Sequence, residues 1–257
     1  MNSKCRIVAQ RITTALIVED DADWDVTLKL QLMEFARGAR IIQNSTGPSL
    51  SAYGDNWDML WVGHCGSHTR VSEKRFFIIR DDLTARPAQY SQDFFAPHII
   101  ASHEDMQNAT RLVYQAGAGM CTYGYAVSYN GARKILAALS INSVNQAVDN
   151  AYSFMCGGGT SPDFLCIAPY PSLIGSWRPS GPGSRDSDVR MEGDETWHHA
   201  WSRGIVYSTM LNIQHLVGGR KIIWPQWDDA SLPPLDLSEM RSREGYLLHV
   251  DGDTANR

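Results

Sequence analysis

No stretch of the 257-residue chain approaches the roughly 20 consecutive apolar residues of a membrane-spanning helix. The amino terminus MNSKCRIVAQRITT also lacks the apolar centre of a signal peptide. Nothing in the chain names a compartment, and no helical membrane span is expected. Cysteine is sparse: Cys5, Cys65, Cys121, Cys156 and Cys166 include no C-x-x-C pair, and an odd number cannot all be bridged internally. This argues against a zinc ribbon and against a disulfide scaffold, while leaving one bridge open. There is no cationic excess either, since 23 Lys and Arg face 28 Asp and Glu for a net charge of −5. The chain therefore has no general attraction for nucleic acid or anionic membrane, and an anionic ligand must be held by local groups. Internal repeats are missing as well.

What the chain does have is a hydrophobic fraction of 43%, enough for the core of one large α/β domain or two small ones. Residues 4–12 read as the tail of a helix and Ala15 to Val18 as a first strand. From Val26 to Ala36, apolar residues fall on a broad helical face that Asp25 could cap. Asp58 to Gly63 (DMLWVG) reads as a buried strand ending at His64 and Cys65, and Arg75 to Arg80 as a third strand. Residues 81–110 are expected to be mostly loop with a short helix. Thr122 to Ser128 reads as a strand, Asn130 to Leu139 as a helix capped by Asn130, VDNAYSFM as a helix stopped by Gly157 to Gly159, and Asp163 to Ala168 as a strand. Gly175 to Asp188 is expected to be a turn-rich loop, Ile205 to Val217 an amphipathic helix, and the stretch beyond Trp227 a poorly ordered polar tail.

The most informative feature is ALIVEDDADWD at Ala15 to Asp25, an apolar run that breaks into Glu19, Asp20, Asp21 and Asp23. A continuous apolar run is the pattern of a buried parallel strand, so the carboxylates should emerge at its carboxyl end, where open α/β sheets bind ligands. Crowded carboxylates repel unless a cation sits among them, and an all-oxygen set favours Mg²⁺, Mn²⁺ or Ca²⁺. The bland alternative is a solvated strand end whose acids favour the next helix, with Asp25 a cap rather than a ligand. A response-regulator receiver domain would also place paired acids here. It would need a phosphorylatable Asp after DMLWVG, where this chain has Gly63 and His64. His64 is a structural histidine or a ligand, and Cys65 is expected to be a small buried residue. Asp149, at the start of a helix, is either a cap or a general base. Arg178 and Arg185 could meet phosphate oxygens, although loop arginines are ordinarily solvated.

ALIVEDDADWD, WDMLWVGHCG, YGYAVSYNGARKIL, AVDNAY and PYPSLIGSWRPSGPGSRDSDV occur in an order that resembles glycosyltransferase family 25, which includes lipooligosaccharide and collagen hydroxylysine galactosyltransferases; the tryptophan-rich version resembles its fungal branch. The likeness runs over residues 5 to 190 or so. It implies an α/β, GT-A-like (Rossmann-like) mixed and mainly parallel sheet flanked by helices. It implies a UDP-sugar donor, with galactose ahead of glucose, Mn²⁺ or Mg²⁺ as the cation, inversion at the anomeric carbon, and a glycan or protein hydroxyl as acceptor. Carried over residue by residue, it assigns Glu19, Asp20 and Asp21 to the metal with Asp23 as an extra ligand. It makes Asp149 the base and matches Ser187 and Asp188 to the family's terminal Ser-Asp pair, which join Arg178 as candidate donor-binding residues. For eukaryotic members the resemblance implies the secretory pathway and Golgi. The family's early βαβ region, which helps hold the uridine, precedes the part matched here, so an N-terminally truncated domain is expected. The expected organisation is residues 1–195 as the catalytic region, 196–227 as a helical extension and 228–257 as the tail. The alternative is an inactive homologue serving as a binding or scaffold domain.

Overall fold

The computed structural model describes residues 3–102, 109–141, 146–159, 161–183 and 195–250. In chain order, α1 (Ser3–Ala9), β1 (Thr14–Val18), β2 (Ala22–Trp24) and α2 (Leu28–Ile42) are followed by β3 (Met59–Gly63), β4 (Ser67–Thr69) and β5 (Arg75–Ile79). A 3-10 turn (Ala88–Tyr90) and α3 (Ile99–Ser102) then lead to β6 (Arg111–Gly119), β7 (Gly124–Ser128), α4 (Tyr129–Ile141) and α5 (Val148–Cys156). The strands β8 (Cys166–Tyr170), β9 (Ile174–Arg178), β10 (Gly181–Pro182), β11 (Trp197–His198) and β12 (Trp201–Ser202) precede α6 (Ile213–Val217). The last elements are β13 (Ile222–Ile223), β14 (Leu235–Asp236) and β15 (Gly245–His249).

The main sheet has eight strands in the order β1-β7-β3-β8-β6-β5-β15, with β4 paired to β6. The fold is α/β with a mixed sheet, but the expectation of a mainly parallel sheet is corrected. Within this sheet only β3 and β8 run parallel, and every other pair is antiparallel. The strands MLWVG and CIAPY and the FFII stretch of β5 are apolar because both faces of the sheet are covered. Phe35, Ala39 and Ile42 of α2 pack on one face with Leu60, Val62, Phe77 and Val113. On the other face, Ile7 of α1, Ile135 of α4 and Tyr152 and Met155 of α5 pack with Met59, Trp61, Tyr114 and Cys166. An unbroken apolar run therefore reports burial on two sides, whatever the strand direction. Gly38 brings α2 onto the sheet: a Cβ there would lie 2.8 Å from both Phe77 and Val113.

β1 is likewise corrected. It is an edge strand paired antiparallel with β7 alone, and Leu16 and Val18 are 58% and 45% exposed. β6, a nine-residue strand, occupies residues that carried no strand expectation, and β9 runs from Ile174 into the expected loop as far as Arg178. Asn130 is not a cap, because Ser128 Oγ accepts the Gly131 N–H at 3.0 Å inside the helix start. The expected helix over Ile205 to Val217 shrinks to the five residues of α6, since Val206 and Tyr207 are buried in a separate cluster with Ile223, Leu232 and Leu235. That cluster, and the pairing of β15 with β5, also replace the expected disorder beyond Trp227 over residues 228–250.

Two disulfides join Cys65 to Cys121 and Cys156 to Cys166, leaving Cys5 free, so the sequence reading underestimated bridging. The paired cysteines lie 56 and 10 residues apart, and only the tertiary fold brings each pair to a Cα separation of 5.5 Å. Among the described residues, no helix is long and apolar enough to cross a membrane.

Candidate functional site

Because β1, β3 and β8 point the same way, their carboxyl ends share one edge of the molecule. The acidic turn leaves β1 there. The loop Met120 to Tyr123, which feeds β7, is tied to the end of β3 by the Cys65–Cys121 bridge and by the Cys65 N–H donating to the Met120 carbonyl at 2.9 Å. Glu19 closes on this loop twice: its backbone N–H donates to the Tyr123 carbonyl at 3.1 Å, and Thr122 Oγ1 donates to Glu19 Oε1 at 2.6 Å. Asp149, in the first turn of α5, approaches the same loop from the other side of the chain. Its Oδ2 accepts the Cys121 N–H at 3.0 Å and its Oδ1 accepts the Asn150 N–H at 2.8 Å. The fold thus brings Glu19 and Asp149 to consecutive loop residues. The capping role weighed for Asp149 is not seen, because the helix cap is Ala147.

Asp21 is half-buried beside β9. Its carbonyl accepts the Trp177 N–H at 2.6 Å, and its Oδ2 pairs with Arg178 Nη1 at 2.5 Å. Arg178 is therefore a strand-end residue facing an acid rather than a solvated loop arginine. Tyr123 lies in the same neighbourhood. Burial holds its phenol above the ordinary range, the Arg203 and Arg178 charges oppose that rise, and Glu19 adds to it. Asp20 is exposed.

The remaining acids turn inward. Asp23 is 1% exposed; its Oδ2 accepts from Ser208 Oγ, and its Oδ1 from the N–H groups of Trp24 (2.8 Å) and Met210 (3.3 Å). Asp25 is equally buried, with Oδ1 accepting the Thr27 N–H and hydroxyl at 2.9 and 2.7 Å and Oδ2 accepting the Tyr207 N–H at 3.2 Å. Desolvation outweighs these hydrogen bonds and pushes the Asp25 carboxyl up to about 7. Both residues fasten the start of α2 to residues 206–210 and are structural.

The four acids expected to bind metal are consequently not one donor set. Asp23 is committed to Ser208 and Asp21 to Arg178, and among the described residues no three His, Cys, Asp or Glu side chains converge as a metal group. Glu19 and Asp20 remain at the exposed end of β1. Ser187, Asp188 and Arg185 lie outside the described residues.

His64 is structural. Its Nε2 lies 2.8 Å from the Pro169 carbonyl and its Nδ1 accepts the Gly66 N–H at 3.3 Å, so neither ring nitrogen is spare, and burial lowers its pKa. Thr122 and Tyr123 had no functional reading from the sequence. They sit in an apolar strand-like run, and only folding makes them the platform between two distant carboxylates. A cavity of about 720 Å³, lined by Trp57, Asp58, Arg133, Lys134 and Asp163, lies at the opposite end of β3 from the acidic turn. Neither the family models, the curated proteins nor the solved structures yield a match to this chain.

Proposed function

We propose that the chain is a glycosyltransferase catalytic region that moves a hexose, galactose ahead of glucose, from a UDP-sugar to a hydroxyl acceptor with inversion. One observation carries the reading: Glu19 and Asp149, 130 residues apart in sequence, hydrogen-bond to adjacent residues of one loop beside the Asp21–Arg178 pair. The five-motif resemblance to glycosyltransferase family 25 supports the same reading, because it puts Glu19 in the acidic motif and makes Asp149 the base.

In this proposal Asp149 takes the proton from the acceptor hydroxyl as that oxygen attacks the anomeric carbon; it is half-buried and has an oxygen shared with only one backbone donor from the loop. Arg178 releases Asp21 to pair with the donor diphosphate, for which a guanidinium fork is well shaped. No step is assigned to a cation, and Asp23 is committed to Ser208 and Met210. Assays in Mn²⁺, Mg²⁺ and EDTA measure whether Glu19 and Asp20 recruit one when donor is present. Two disulfides agree with folding in an oxidising compartment, as the resemblance implies.

The test is UDP release from UDP-galactose with a panel of hydroxyl acceptors. Asp149→Asn should abolish release, and Arg178→Ala should weaken donor affinity while leaving the fold intact. Absence of saturable UDP binding by calorimetry would replace this reading with the inactive binding-domain alternative.

A further inference from the structure

Among the described residues the outer edge of β1 has no strand beside it, and this carries an inference independent of the sugar-transfer reading. Two hydrogen bonds, from Tyr129 N–H to the Thr13 carbonyl and from Glu19 N–H to the Tyr123 carbonyl, fix the parity of the β1–β7 ladder. Odd-numbered residues bond inward to β7, so the N–H and C=O groups of Thr14, Leu16 and Val18 point to the open edge. The same residues expose their side chains. Edge strands are usually blunted by Lys, Pro or a bulge, but TALIV has none of these and its register with β7 is continuous.

We infer that β1 is a self-association edge that pairs antiparallel with β1 of a second copy about a twofold axis through Leu16. In that register Thr14 faces Val18 of the second copy and Leu16 faces its own counterpart, so all three outward-bonding residues find partners that also bond outward. Leu16 and Val18 of both copies then share one face as a continuous apolar strip. Charge selects a second copy over an arbitrary strand. Arg11 stands before β1 and Glu19 and Asp20 directly follow it, so antiparallel pairing brings the basic entry of each copy towards the acidic exit of the other. A single five-residue edge is a small interface, so the dimer is reversible and concentration-dependent.

Sedimentation velocity of the full chain over roughly 1 to 100 µM should show a monomer–dimer equilibrium. Leu16→Lys and Leu16→Pro should both shift it to monomer; the N–H that the proline removes is an outward one, not part of the β7 ladder. Arg11→Glu should weaken the dimer, as should salt of about 1 M. A monomer at every concentration, a dimer unmoved by the position-16 variants, or growth beyond dimer would each overturn the inference. If those variants lose their native circular dichroism, Leu16→Cys in a Cys5→Ser background decides it. A short bismaleimide should join two copies through position 16, and failure to do so sinks the proposal.

Discussion

Glu19 to Asp21 and Asp23 to Asp25 are halves of one acidic run, yet they meet opposite fates. The first half stays at the molecular edge, leaning on Thr122 and Arg178. In the second half Asp23 and Asp25 are buried to 1% exposure and hold Ser208, Thr27 and residues 207 and 210. The division falls at β2, whose pairing with β9 turns Asp23 towards the Ser208 segment. A carboxylate with several fixed donors is a structural clasp, whereas one with a single partner near solvent remains available for chemistry.

The largest expected effect belongs to the buried half. The Asp25 carboxyl is raised from 3.8 to about 7, so the folded state holds its proton more tightly than the unfolded chain. The contribution is full below about pH 4 and is lost as pH rises to about 7, a span of roughly 4 kcal/mol. Urea unfolding from pH 4 to 8 should show this falling component in the wild type. It should vanish in Asp25→Asn, and an unchanged slope there would assign the buried half no titration.

The exposed half depends instead on the loop it touches. Opening the Cys65–Cys121 bridge should cost about 4 kcal/mol against about 3 kcal/mol for Cys156–Cys166, because the first closes the longer loop. Paired Cys→Ala variants compared by thermal melts measure both, and only the first should also impair UDP binding. Asp23→Ala should cost about 3 kcal/mol by urea denaturation, since it strands the Ser208 hydroxyl and the Met210 N–H, whereas exposed Asp20→Ala should stay within about 0.5 kcal/mol. The Asp21–Arg178 coupling should also be small. A double-mutant cycle should give no more than about 1 kcal/mol of stability for this partly exposed pair. A larger value would make it a clasp like Asp23 and erase the distinction between the two halves.

Much of the local structure was legible. The strand cores DMLWVG and RFFII, the helix after Asp25 and the glycine stop after VDNAYSFM were found because periodicity and glycine act locally. β6 was missed because RLVYQAGAG dilutes its apolar residues with small ones. Its Gly119 is nevertheless required, since a Cβ there would meet the Trp61 ring at 2.8 Å.

By itself the sequence determined where apolar segments begin and end, that its acids and apolar run adjoin, and which residues stop its helices, all consequences of short-range backbone and burial preferences. Strand direction, the two cysteine pairings, the inward turn of Asp23 and the placing of Glu19 and Asp149 on adjacent loop residues were decided only by tertiary structure. Each depends on which distant segment lies alongside, and a side chain's partners across 130 residues leave no mark in its local pattern.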